Sequence, residues 1–263
     1  MRGCLDLGLL SPIEASPKIR AAADKALSLD PDNGAAHWML ACLAMFFERD
    51  WSLVEFHSKR AVASDPNSAE FRLPYVHFLS AAARHDEALT AVERAIQVDP
   101  VSALACENAG YHYYLARKFD KALEYCERSL ALDPNFDLAH DIVGMIYIQK
   151  GMLAEALIEL SKTPFYPEFL GYAYGASGRT DDARRILAKL LENQSRGEGS
   201  AYRAALVYLG LGESNAALEN LEMIIEESPA YLWTAFLKPD PLWDPLRSDP
   251  RFKDLLARMN LPE

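Results

Sequence analysis

The chain has 263 residues, half of them hydrophobic, and a net charge of −11 at pH 7. That length allows one large domain or two ordinary ones, with ample material for a core and no low-complexity tract of the kind that stays disordered. The acidic balance argues against a nucleic-acid backbone as partner, since that needs clustered Lys and Arg. No apolar run approaches the roughly 18 residues of a membrane-crossing helix.

The first residues, MRGCLDLGLLSPIEASP, carry one Arg and an apolar stretch broken by Asp6, a poor match to a secretory leader. Met1 opens inside what reads as a first helix, so the chain is expected to be a piece of something longer. The four cysteines, Cys4, Cys42, Cys106 and Cys126, form no CxxC pair, and neither a zinc site nor a disulfide framework is expected. Cys42, Cys106 and Cys126 fall in helical patterns and read as small apolar residues. The cytoplasm is the expected compartment.

From Ala26 the chain begins to repeat itself. ALSLDPDNGAAH, Ala26 to His37, returns as SLALDPNFDLAH, Ser129 to His140. Asp-Pro stands at Asp30-Pro31, Asp65-Pro66, Asp99-Pro100 and Asp133-Pro134, with intervals of 35, 34 and 34 residues between the prolines. A fixed period of this size marks a stack of supersecondary units. Small or aliphatic residues precede the prolines in matched pairs: Ile19/Ala26, Val54/Ala61, Ala88/Ala95, Ala122/Ser129 and, before Pro229, Ala217/Ile224. Upstream lies a column of Gly110, Gly144, Gly171 and Ala205, each followed three residues later by Tyr113, Tyr147, Tyr174 or Tyr208. Turn glycines follow at Gly151, Gly178 and Gly212.

These columns have a physical reading. Small residues let facing helices approach closely, with the tyrosine filling space beside the crossing. Proline ends the second helix of each unit by withholding an N–H and disfavouring the α conformation of the residue before it. In FDKALEYCERSLALDP, Phe119, Ala122, Leu123, Cys126 and Leu130 make one apolar stripe of helical period. No segment alternates convincingly with period two, so an all-α chain is predicted.

The G-x-x-Y, turn-Gly, A-x6-A-x4-P spacing resembles the tetratricopeptide repeat. That resemblance implies a right-handed superhelical solenoid of helix–turn–helix units over nearly the whole chain. The array is placed at 1–231: a partial unit 1–33, then 34–68, 69–102, 103–136, 137–163, 164–197 and 198–231. Unit 137–163 is short, unit 34–68 has one extra residue near Trp51, and Pro74 is expected near the N-terminal turn of its helix. Residues 232–263 read as a C-terminal cap. Asp249 and Pro250 serve as N-cap and first helical residue, ahead of a stripe of Phe252, Leu255, Leu256 and Met259.

No catalytic pattern emerges, and no enzyme activity or cofactor is expected. His37 and His140 hold equivalent positions after the linker, where packing explains both. GYAYGASGR follows no strand and lacks GK[ST], and DPDNG lacks the spacing of a calcium loop. By the resemblance, the first helix of each unit lines a concave groove for a peptide or partner segment. Its residues would be Trp38, Cys42, Met45, His77, Glu107, Asn108, Tyr111, Tyr114, Asp141, Met145, Glu168, Tyr172, Tyr202 and Arg203. This groove is aromatic and acidic, with Arg203 its only cation, so a protein partner with basic and apolar residues is expected. The alternatives are that these side chains pack on the next unit, that Trp233 and Trp243 fold back over them, that the array associates with itself, or that it is the detached repeat region of an enzyme whose catalytic domain is missing here. The chaperone-binding clamp of some family members is excluded: Asn108 fits it, but Glu107, His77 or Asp141 occupy its cation columns. The ending DPLRSDPRFKDLLARMNLP, with KGMLAEALIEL and RHDEALTAVERAIQVDP, is similar to the repeat regions of bacterial multidomain signalling proteins.

Overall fold

The computed structural model describes residues 12–196, 201–226 and 232–259. These form α1 (Pro12–Leu29), α2 (Gly34–Leu43), a π-helical turn (Ala44–Glu48), α3 (Trp51–Ser64), α4 (Ala69–Ala81) and α5 (His85–Val98). There follow α6 (Ala103–Leu115), α7 (Phe119–Leu132), α8 (Asp137–Gln149), α9 (Leu153–Leu160), α10 (Pro167–Ala176), α11 (Thr180–Ser195), α12 (Ala201–Gly210) and α13 (Ser214–Glu226). Two 3₁₀ helices, Leu232–Phe236 and Pro241–Leu246, lead to α14 (Pro250–Arg258). No strand occurs among the described residues, and the fold is all-α, of the tetratricopeptide type.

The chain divides into two compact units. Of the described residues, unit 1 holds 12–100 and 232–239, and unit 2 holds 101–226 and 240–259. Within unit 1, α2 pairs with α3 and α4 with α5, while α2 also touches α4. Within unit 2 the pairs are α6/α7, α8/α9, α10/α11 and α12/α13, and the first helices α6, α8, α10 and α12 touch in succession.

The linkers explain the repeated sentence. Proline stops the preceding helix, and the aspartate before it folds the next residues by accepting a backbone N–H two positions on. Asp30 takes Asp32 N–H at 3.2 Å, Asp65 takes Asn67 N–H at 2.9 Å and Asp133 takes Asn135 N–H at 3.1 Å. The histidine that closes the motif clamps the same turn: His37 Nε2–H donates to Pro31 O at 3.0 Å and His140 Nε2–H to Pro134 O at 3.1 Å. Arg72 does this in the unit after that of His37, donating to Pro66 O. The other imidazole nitrogen reaches the second helix, to His57 Nδ1 at 2.9 Å or Glu159 Oε2 at 2.7 Å.

The turn between helices of a pair is left-handed at one residue. Gly151, Gly178 and Gly212 occupy it with φ of 73°, 78° and 77°. Arg49, Ala83 and Arg117 hold the matching place with φ of 51°, 58° and 60°, accepting the crowding that glycine avoids. The column of Val54, Ala122, Ala156, Ala183 and Ala217 is fully buried, as is Ala61 one column on. A Cβ on Gly144 would meet Leu160 within its own pair, at 2.6 Å from Cδ2. One on Gly171 would instead meet Val207 of the next first helix, at 2.6 Å. Gly210 is tighter still: its Cβ would lie 2.6 Å from Tyr172 Cα, so α10 and α12 pack backbone against backbone.

The irregularities resolve locally. The extra residue near Trp51 is absorbed by the π turn Ala44–Glu48, after which Asp50 caps α3 through Leu53 N–H at 3.1 Å. The short unit ends in the eight-residue α9. Pro74 corrects an expectation. With Ser68 capping α4 through Phe71 N–H, Pro74 lies in the second turn, beyond the helix's free N–H groups. There it removes an internal bond to Glu70 and is retained as a buried contact. At the C-terminal end, Asp249 accepts Arg251 N–H at 2.8 Å and Pro250 follows as first helical residue. Phe252, Leu255 and Met259 of that segment are buried.

Gly210→Ala is therefore expected to cost about 1–3 kcal/mol, and Gly144→Ala less, because the Leu160 side chain can turn aside and the Tyr172 backbone cannot. Equal melting temperatures for the two would contradict this packing. At the left-handed turns, Ala83→Gly should stabilise and Gly178→Ala should destabilise, each by about 1 kcal/mol. Thermal denaturation of the pair checks the sign.

Candidate binding face

The face in question is made by the first helix of each pair. In unit 1 it carries Trp38, half-buried, and Cys42, Met45 and His77, which are buried. The 3₁₀ helix Leu232–Phe236 packs on the π turn and on α4. Its Phe236 ring stands edge-on to His77, 5.6 Å between centroids. Burial drives the His77 pKa down to about 3, so the imidazole is neutral. The Trp233 side chain lies outside the described residues.

In unit 2 the face has an acidic part. Glu107, Asp141 and Glu168 come from α6, α8 and α10 and lie close enough for Asp141 to feel both other charges. Asp141 accepts the Thr163 hydroxyl on Oδ1, while Oδ2 is buried without a partner. Glu168, fully buried, faces Arg203 Nε at 3.7 Å, and the Arg203 guanidinium lies 5.8 Å above the Tyr166 ring. Asn108 donates Nδ2–H to Leu104 O at 2.8 Å, within its own helix. Burial pushes Glu107 up to about 8 and Asp141 up to about 8, the latter aided by Glu168 and opposed by Thr163.

The other part is occupied by the chain's own C-terminal segment. Tyr111, Tyr114, Met145 and Tyr202 are buried, and the 3₁₀ helix Pro241–Leu246 packs on α8. Tyr114 OH donates to Asp240 Oδ1 at 2.8 Å, and Leu242 N–H reaches the same oxygen at 2.9 Å. Trp243, fully buried, meets Tyr202 edge-on at 5.3 Å and stacks on Phe252 at 6.4 Å. Its Nε1–H points to Tyr202 OH at 3.4 Å. Arg117 grips Asp244 with two bonds of 2.6 Å, and Arg247 Nη2–H donates to Asp240 O at 2.9 Å. Asp240 and Asp244 lie near enough to Tyr172 to raise its phenol pKa, after burial. Burial also lifts Asp240 to about 6, although Leu242 and Tyr114 both bond its carboxyl.

The expected residues thus fall into two sets. Trp38, Cys42, Met45 and His77 belong to unit 1, and Glu107, Asn108, Tyr111, Tyr114, Asp141, Met145, Glu168, Tyr172, Tyr202 and Arg203 to unit 2. Arg203 is not the only cation of the face. Arg117 also serves it, from the α6–α7 turn rather than from a first-helix column, which is why column reading missed it. Asp240 and Asp244 were missed too, their one signal being the acids that bracket Trp243 in DPLWDPL. Among the described residues no group of His, Cys, Asp or Glu is placed to hold a metal ion, and no helix is long and apolar enough to cross a membrane.

A family model described as tetratricopeptide repeat matches residues 79–135 and 170–230. No curated protein sequence matches the chain. Among solved structures, the chain is similar to one in the APC/C hetero-tetramer Cut9–Hcn1, at 18% identity and TM-score 0.60, covering 93% of this chain and 46% of that one. The chain thus spans less than half the length of that relative. It is also similar to the human IFIT1 dimer with m7Gppp-AAAA, at 17% identity and TM-score 0.60, over 93% of this chain and 65% of that one. Pseudomonas aeruginosa pilF gives 22% identity and TM-score 0.55, over 73% and 88%. At such identities the likeness shows the fold.

The raised carboxyls set a pH dependence. A carboxyl whose pKa is higher folded than unfolded adds stability below its unfolded value, and that stability is lost as pH climbs to the folded value. With Glu107 and Asp141 both at about 8, the melting temperature should fall steadily from about pH 5 to 8 and level above it. Replacing both, Glu107→Gln with Asp141→Asn, should flatten that fall. An unchanged slope in the double variant would show that these carboxyls are not so placed.

Proposed function

We propose that the chain, whose residues 79–135 and 170–230 match a tetratricopeptide-repeat model, is a non-catalytic scaffold for protein–protein interaction. On this reading the first-helix face of unit 2 takes a peptide or partner segment. The observation that supports it most is the gathering of aromatic rings and buried carboxyls on one face. Tyr166 offers apolar area with a polar edge, as Tyr111 and Tyr202 do where the C-terminal segment is lifted away, while Glu107, Asp141 and Glu168 offer carboxyls that a partner's Lys or Arg would pair with and hold ionised. The complementary segment carries apolar or aromatic anchors flanked by Lys or Arg. Anchors supply most of the affinity and charges set selectivity and association rate. The C-terminal sequence, from DPLRSDPRF onward, further supports a place in a bacterial signalling protein, as its sensory or scaffolding part.

A peptide-library screen against the purified chain tests this. Hits should combine an aromatic or aliphatic residue with neighbouring Lys or Arg, and their affinity should fall as salt rises. Glu107→Gln should weaken such hits by about tenfold, ~1.4 kcal/mol. Hits lacking basic residues, or indifferent to that substitution, would put the binding surface elsewhere, on the face made by the second helices.

A further inference from the structure

Tyr114, Arg117, Tyr172 and Tyr202 surround a stretch of the chain that does not belong to any helical pair. Two features of Asp240–Arg247 bear on its role. It is gripped at both ends by polar groups, Asp240 by Tyr114 OH at 2.8 Å and Asp244 by Arg117 through two 2.6 Å bonds, with the Trp243 indole sunk between. Its fit is incomplete, because Asp240 Oδ2 is buried without a partner while Oδ1 takes both available bonds. A cap built only to cover apolar surface needs no polar grip on both of its ends. Such a constellation does suit the recognition of a short acidic segment: a planar guanidinium takes one carboxylate by two bonds, a phenol takes the other, and a tyrosine-walled slot takes an aromatic ring.

We propose that this surface is a docking site for a partner protein's acidic–aromatic segment, two carboxylates four residues apart with an indole or comparable ring between, and that residues 240–247 are its resident occupant. The partner segment binds by displacing them. This site rests on Arg117 and Tyr114 and does not require the basic partner argued above, so either can fail alone. Because the resident segment is tethered, its effective concentration is high and an incoming segment must compete with it.

The test uses the full chain and a synthetic peptide of the sequence KPDPLWDPLRS, with a scrambled peptide as control. The wild-type chain should bind the labelled peptide weakly. Asp244→Ala loosens the resident segment and should bind it at least tenfold more tightly, and adding Arg117→Glu to that variant should abolish binding. In the wild-type chain, hydrogen exchange with excess peptide should expose amides of 240–247 while α6 and α12 stay protected, a readout that needs no substitution. No gain of binding in a folded Asp244→Ala chain would overturn the proposal. So would binding that survives Arg117→Glu, or peptide excess that leaves 240–247 protected. Dimers formed by exchange of these segments between two copies would overturn it as well, since the occupant would then be the chain itself.

Discussion

A pair of helices joined by a tight turn cannot bury its own apolar stripe, so each pair must lie close against another. That closeness rests on side chains of almost no size. Ala61, Ala122, Ala156, Ala183 and Ala217 have no exposed surface, and Gly210 comes so near Tyr172 that a single added carbon would enter its backbone. Everything else follows from keeping those contacts in step. Asp-Pro ends four of the second helices, Asx turns at Asp30, Asp65 and Asp133 redirect the chain, and His37, Arg72 and His140 fasten the turn by its proline carbonyl. A fixed period is what such a device looks like in one dimension.

The first helices pay for this arrangement by presenting a second face that the stack does not cover. In unit 1 that face meets Leu232–Phe236, and in unit 2 it meets Pro241–Leu246. The segment in unit 2 is polar at its ends and aromatic in its middle, so it closes the face without making it an ordinary core. Burial then raises the carboxyls of Glu107, Asp141 and Asp240 above the usual range. Carboxyls held out of water with incomplete bonding are costly to a stack that needs only stability, and concentrated on one face they mark where a partner's chemistry would be met.

Much of the fold was legible because each requirement has a residue type of its own. Proline breaks helices, glycine turns left, and alanine allows close approach, so their columns could be aligned by eye. The left-handed turns at Arg49, Ala83 and Arg117 were not legible, since nothing in those side chains advertises a positive φ. Nor was the Gly210–Tyr172 approach, which joins two successive first helices and so lies outside the within-pair columns. Pro74 misled for a related reason: where a helix begins depends on its cap, Ser68, and not on where proline is most comfortable. For the binding face, the residue types were readable from register, but what they touch was not. The columns gave Tyr114 and Tyr202 a shared side of the helices. Only the folded chain brings Asp240 and Trp243 to them, across more than a hundred residues in the first case.

The central claim is that the C-terminal segment closes the first-helix face of unit 2 in solution. Hydrogen exchange of the unliganded chain, resolved by segment, measures this directly. Amides of 242–246 should be protected to a degree comparable with α6 and α12, and should lose protection together with them as denaturant is added. Exchange of 242–246 at the rate of a free peptide, while α6 and α12 remain protected, would contradict it.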